Sequence, residues 1–469
     1  MATSGSFSTN GYEGRGLTFN WSRASYNINE NYTDINWSLS GSGNASSSWY
    51  YAGPFYVSID GETVYSSSTR IKLYNGTTVA SGSKRIYHNN DGTRSFGASV
   101  SGAIYSSSVN VSGSGSWSLD TIPRQANITS CNNFNDEEKP YMTFTNIGGL
   151  PMNARLEFAG TNISRNDIPN TGNYTFNLTD TERTLLRTKC TSNSMTVRYV
   201  IATKINGTET MWSWVDKTMT IINGNPTFSN FTYKDTNSKV TSITGNNQVL
   251  VKGLSALQAV ISSANKMVAK KNATAKNYVS TIDTTNISTN YSTNDLTIEL
   301  GNINSSGTQR LSIRAYDSRN NSTLVYKDIT VYDYDKPVIN ATVTRLNNFE
   351  NQTTLKVAGT YSKLTINNTD KNVVKTLQYR YRETNGTWST WKTLTSTIKN
   401  GNFTCTDVIL SLDNTKSFEF EIQAIDNLQT STLSLKLAVG QAIFFISTNK
   451  KACYINGQEI LTYDVVESW

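Results

Sequence analysis

Three stretches of this chain repeat one local pattern about 110 residues apart, the length of an immunoglobulin-like sandwich. Residues 197–204 lead through Asn206-Gly207 into 214–221, residues 311–317 lead through 319–321 into 324–331, and residues 418–426 lead through 427–429 into 432–439. Each begins with alternating apolar positions, places an alanine near its end (Ala202, Ala315, Ala424), turns on polar residues and closes with a second strand. Alternation with period two is the signature of a strand with one buried face. The Asp and Asn at these turns read as turn-formers, because their short side chains bond the local backbone. Proline-marked crossings at Asn223-Gly-Asn-Pro226 and Asp333-Tyr-Asp-Lys-Pro337 separate the repeats, since proline cannot sit inside a central strand.

Composition agrees with a folded β protein. Of 469 residues only 16% are charged while 11% are aromatic, and the polarity comes from Ser, Thr and Asn. Thr, Tyr, Trp and Val suit a pleated surface, whereas disordered chains lack such aromatic content. The region up to about residue 122 is richer in Gly and Ser. There residues 55–59 alternate, Asp60-Gly61 offers a type I′ turn into 62–65, and residues 88–92 form another turn. A final hairpin over 95–119 puts Phe96, Ala98, Val100, Val111, Trp117 and Leu119 on one face and mainly Ser and Gly on the other. The expected architecture is all-β: a β-sandwich or jelly-roll-like module over 1–122, immunoglobulin-like sandwiches over 123–224, 225–336 and 337–439, and a C-terminal β-hairpin segment over 440–469. Residues 255–261 fit either a strand or a single helical turn.

Several runs resemble a known family. Gly82-Ser-Lys-Arg-Ile-Tyr-His-Asn-Asn-Asp-Gly-Thr-Arg-Ser followed by Trp117-Ser-Leu-Asp-Thr-Ile-Pro-Arg124 resembles the N-terminal module of siphophage minor structural proteins from low-GC Gram-positive hosts. Residues 225–235, 244–255 and 332–337 resemble the same family, and residues 440–447 with Ile455-Asn-Gly are similar to the end of phage tail-fibre and baseplate proteins. The resemblance implies a place in the virion tail and contact with a host surface, and it brings no catalytic residues.

The chemistry looked for in the residues is sparse. The single histidine, His88, lies in a turn beside Asn89, Asn90 and Asp91 and reads as a solvated or turn-bonding imidazole. Cys131, Cys190, Cys405 and Cys453 lack metal-ligand spacing and read as buried or unreactive thiols, so no metal or cofactor is expected. Asp136-Glu137-Glu138 reads as a solvated turn. A net charge of +7 is scattered, its densest cluster being Lys266, Lys270, Lys271 and Lys276, which argues against nucleic-acid binding. The first residues show no signal peptide and no run is long enough to span a membrane, so synthesis in the host cytoplasm and release by lysis are expected.

The positive signal is aromatic. Trp37, Trp49, Tyr50, Tyr51 and Tyr56, amid Ser, Gly and Asn, are the candidate glycan-binding residues, because aromatic rings stack on sugar C–H faces while amides and hydroxyls bond sugar hydroxyls. Core packing is the competing reading for the same rings. Trp388 and Trp391 beside Arg380 and Arg382 read as a structural ladder. The expected protein is a non-enzymatic tail tip, baseplate or fibre component that binds host cell-wall polysaccharide and joins other tail proteins. Unpaired C-terminal strands suggest a homo-oligomer, with a trimer as the expected state. A purely structural decoration protein and a polysaccharide-degrading enzyme are the alternatives.

Overall fold

The computed structural model describes residues 2–43, 50–104, 108–441, 444–446, 452–455 and 458–462. The chain is nearly all β and divides into two compact units, Met1–Gly224 and Asn225–Trp469.

The first unit holds two separate cores. Ten strands surround the first: β1 (Ser4–Ser8), β2 (Arg15–Asn27), β3 (Tyr32–Gly43), β4 (Tyr50–Ala52), β5 (Phe55–Ile59), β6 (Glu62–Ser67), β7 (Ile71–Leu73), β8 (Thr78–Tyr87), β9 (Ser95–Ile104) and β10 (Val109–Ser118). One sheet has the order β1-β2-β3-β8, the facing sheet β10-β9-β5-β6, and β4 pairs with β7 as a short ribbon. The β5–β6 turn has positive φ at both Asp60 (52°) and Gly61 (82°), as a type I′ turn requires. Between the sheets lie Leu17, Phe19, Trp21, Ile35, Trp37 and Leu39 from one side and Phe55, Val57, Phe96, Ala98 and Val100 from the other. The alternation read from residues 95–119 therefore has its apolar face inwards.

The second core, over residues 126–221, lies between a three-stranded and a five-stranded sheet, with the hairpin Ser194–Ile205/Thr208–Thr220 in the larger one. Asn206 and Gly207 both adopt positive φ at its tip, confirming their role as turn-formers. A helix absent from the sequence reading, Asp180–Lys189, contributes Leu186 to this core. It starts on a capping box in which Thr179 accepts from the Glu182 amide and Glu182 accepts from the Thr179 amide. This helix corrects the reading of the acidic triplet. The Asp136 carboxylate is fully buried, accepts from Arg187 Nε at 2.6 Å and from the Ile222 amide at 3.0 Å, and is no solvated turn.

In the second unit, residues 228–331 repeat that three-plus-five arrangement, down to a short parallel edge strand (Leu250–Val251) beside the closing strand Ser322–Tyr332. Residues 256–261 are a strand, and the nearby helix is instead Ser238–Thr244, capped by the Asn237 side chain and ended by Gly245 at φ 71°. A fourth core spans Leu355 to Leu437. Asp317 and Asp426 bind the backbone of their own turns, the former through the Arg319 and Asn321 amides, the latter through Leu428 and Gln429. A smaller cluster of Val240, Val251, Tyr334, Leu364, Ile366 and Leu428 joins the two cores of this unit. At the C-terminus, the expected hairpin gains a third strand: Phe444–Ile446, Ala452–Ile455 and Gln458–Thr462 form one antiparallel sheet. The turn at Lys450-Lys451 lies outside the described residues.

Candidate functional site

The structure places the five candidate rings in different settings. Trp37 is a correction: it is 5% exposed, pairs with Trp21 across β2–β3 and packs beside Phe19, so it offers no face to a sugar. Trp49 and the Tyr50 side chain lie outside the described residues. Tyr51, on the β4–β7 ribbon, is 40% exposed, and Tyr56 is 48% exposed on the outer face of the β10-β9-β5-β6 sheet.

The setting of Tyr56 follows from register. Its neighbours Phe55 and Val57 point into the core, so the phenol points out. Across the sheet, Ser112, Ser101, Tyr56 and Ser66 form one row, and Ser114, Ser99 and Ser58 form the next. All of these except Ser66 line a shallow depression of about 410 Å³. Adjacent strands lie ~4.8 Å apart. The face is thus a grid of hydroxyls, each able to donate once and accept twice, beside one aromatic ring. Such a surface can hold a flat, hydroxyl-rich ligand by stacking and by hydrogen bonds.

His88 is buried rather than solvated. Its Nδ1 lies 2.7 Å from the Gly92 carbonyl and its Nε2 2.8 Å from Thr33 Oγ1. A carbonyl only accepts, so Nδ1 carries the proton and neutral Nε2 accepts from the Thr33 hydroxyl. Burial lowers the imidazole pKa from 6.5, Gly92 opposes this, and Arg94 adds to it. The unfolded chain therefore binds more protons below about pH 6.5, and stability present above that pH falls as the solution is acidified towards the lowered folded value. We expect the melting temperature of the Met1–Gly224 unit to drop between about pH 8 and about pH 5. His88→Gln should flatten that slope, and calorimetry of both proteins across the range checks it.

The remaining features are structural. Cys131, Cys190 and Cys405 are buried, and burial pushes the Cys131 and Cys405 thiols up to about 11, while Cys453 is partly exposed. Arg380 lies 4.7 and 4.5 Å from the Trp388 and Trp391 rings and bonds Glu421, and Arg382 stacks on Trp388 while bonding Glu419, which is the ladder read from the sequence. Among the described residues, no group of three or more His, Cys, Asp or Glu side chains could hold a metal ion, and no helix is long and apolar enough to cross a membrane.

Sequence reasoning passed over Trp212 and Trp214, which are 43% and 58% exposed on the closing strand of the second sandwich. Their i, i+2 spacing was the available signal, because it puts both rings on one face of a strand.

A family described as "Siphovirus protein of unknown function (DUF859)" matches residues 4–451. No curated protein matches the chain. Among solved structures, the chain is similar to the tetra-tandem repeat in the extending region of a large adhesion protein, with 10% identity, a TM-score of 0.31, and 89% of this chain and 98% of that one covered. It is also similar to a 1.5-MDa bacterial ice-binding adhesin, at 13% identity, TM-score 0.22 and 68% and 98% coverage. An I-band fragment of titin matches at 10% identity and TM-score 0.23, over 66% of this chain and 96% of that one.

Proposed function

Because this chain belongs to that siphovirus protein family, we propose that it is a non-enzymatic structural component of the phage tail, in the tip, baseplate or fibre, that binds polysaccharide on the host-cell surface. The observation that carries the binding part is the outer face of the β10-β9-β5-β6 sheet, where Tyr56 stands exposed in a field of serine hydroxyls. A sheet face with no charged side chain in its two central rows suits an uncharged, hydroxyl-rich ligand better than a charged one. Tandem sandwiches act as spacers, and weak single sites gain strength when several copies engage one cell wall. Exposed Phe444 and Ile455, paired across the C-terminal sheet, support a homo-oligomer, with a trimer as the proposed state, joined to other tail proteins.

The test is sedimentation of labelled full-length protein with Gram-positive host cells and isolated walls. Wild type should sediment with both, and Tyr56→Ala should weaken wall binding by about tenfold while leaving the melting profile unchanged. A wild-type protein that stays in solution at concentrations where weak sites would register favours a tail scaffold without a receptor role. Release of reducing sugar from the walls would instead favour a degrading enzyme.

A further inference from the structure

On the second sandwich, Trp212 and Trp214 alternate along the strand Thr208–Thr220, so their side chains leave one face from backbone positions about 6.7 Å apart, on the order of one sugar unit. Their partners across the hairpin are Ala202 and Val200, which belong to that same outer face yet are buried, at 0% and 4% exposure. The two rings thus stand over a small apolar floor.

Polar groups flank the rings in fixed positions. Arg198 makes two bonds to Asp216, at 2.7 and 3.0 Å, and its guanidinium lies 5.8 Å from the Trp214 ring. Glu209 accepts from Asn153 and from Arg155, each at 2.6 Å. Burial opposes ionisation of Glu209, but hydrogen bonds from Asn153, Arg155 and Trp212 outweigh it and hold its pKa below the usual carboxylate value. Each guanidinium is matched by a carboxylate. The surface therefore offers a polyanion no uncompensated cation from this set, whereas an uncharged ligand meets two ring faces rimmed by donors and acceptors.

The third sandwich supplies an internal comparison. At the equivalent positions Arg310 pairs with Asp328 at 2.9 Å and lies 4.1 Å from the Tyr326 ring, but Leu324 stands where the second sandwich has Trp212. The ion pair and one stacked ring are a shared feature of these sheets. The second ring is the addition.

We propose that the outer face of the second sandwich is a carbohydrate-binding platform for an uncharged polysaccharide chain, whose sugar rings stack on Trp212 and Trp214. It uses residues other than Tyr56 and stands even if the first sandwich binds nothing.

The experiment is titration calorimetry of the full-length protein with a β-1,4-linked N-acetylglucosamine hexamer, and separately with poly(glycerol phosphate). The hexamer should bind and the polyanion should not. Trp212→Ala and Trp214→Ala should each weaken hexamer binding by about tenfold or more, while Trp214→Tyr, which keeps a ring, stays within about threefold of wild type. Leu324→Ala and Tyr326→Ala should leave it unchanged, and an unaltered melting profile shows that each variant is folded. The proposal is overturned if the hexamer fails to bind, if the polyanion binds better, or if folded Trp212→Ala and Trp214→Ala proteins match wild type. Equal loss in Tyr326→Ala also overturns it. Loss in Tyr56→Ala alone would move the site to the first sandwich.

Discussion

Replacing Asp426 by alanine should cost the Asn225–Trp469 unit about 4 kcal/mol, because each buried donor left without a partner costs about 1–3 kcal/mol. The carboxylate is 2% exposed and is shared by groups from separate parts of this unit. It accepts from the Leu428 and Gln429 amides at 2.7 and 2.6 Å, from Asn372 Nδ2 at 2.8 Å and from the Tyr334 hydroxyl at 3.1 Å. Burial, followed by the field of Asp426, pushes the Tyr334 phenol far above its ordinary range, so it stays protonated and donates. Tyr334 and Leu428 also belong to the apolar cluster that joins the two cores of this unit, where Lys239 bonds the Leu428 carbonyl. Loss of the carboxylate therefore strips a tight turn and loosens the joint at once. At about 2–4 °C per kcal/mol for a unit of this size, the corresponding calorimetric transition should fall by about 10 °C. The transition of the Met1–Gly224 unit should stay where it is. Asp426→Asn, which keeps one acceptor oxygen, should lose about half as much. A shift under about 2 °C in the alanine protein would show that the turn and joint hold without this group.

Phe19→Ala should be comparably damaging in the first sandwich, at about 3–5 kcal/mol, from lost burial plus the cavity left behind. Phe19 is fully buried and stacks on Phe7 at 5.2 Å, Trp117 at 6.3 Å and Trp37 at 6.4 Å. These rings come from both sheets, so the cavity would open at the seam between them. Near-UV circular dichroism should lose much of its aromatic signal, and urea unfolding of the Met1–Gly224 unit should shift to lower concentration without change in the other unit. Wall binding through Tyr56 should fall with it, since β5 presents that ring only while Phe55 and Val57 stay anchored in the same core. A midpoint change worth less than about 1 kcal/mol would mean that the neighbouring rings collapse into the space.

The two helices mark where the sequence reading stopped short. Thr179 and Glu182 spell a capping box, and Asn237 with Gly245 brackets a single short helix, both visible locally once sought. Their importance was not local. The Asp180–Lys189 helix supplies Arg187 to a carboxylate 51 residues away, and nothing in the Asp136-Glu137-Glu138 triplet signals that its first member is buried and the next two lie in a turn. Long-range pairing of this kind has no short-range signature.

By itself the sequence determined the strands, the tight turns and the recurrence of one sandwich pattern, because these depend on period-two alternation and on residues such as Asp60-Gly61 and Asn206-Gly207 that adopt positive φ. Alternation assigns side chains to two faces but does not say which face a second sheet covers. Trp37 and Trp214 sit in strands of similar character, yet Trp37 is covered by the opposing sheet and Trp214 faces outwards. Only the tertiary structure decided that difference, because burial is a property of how sheets stack and not of the strand that carries the ring.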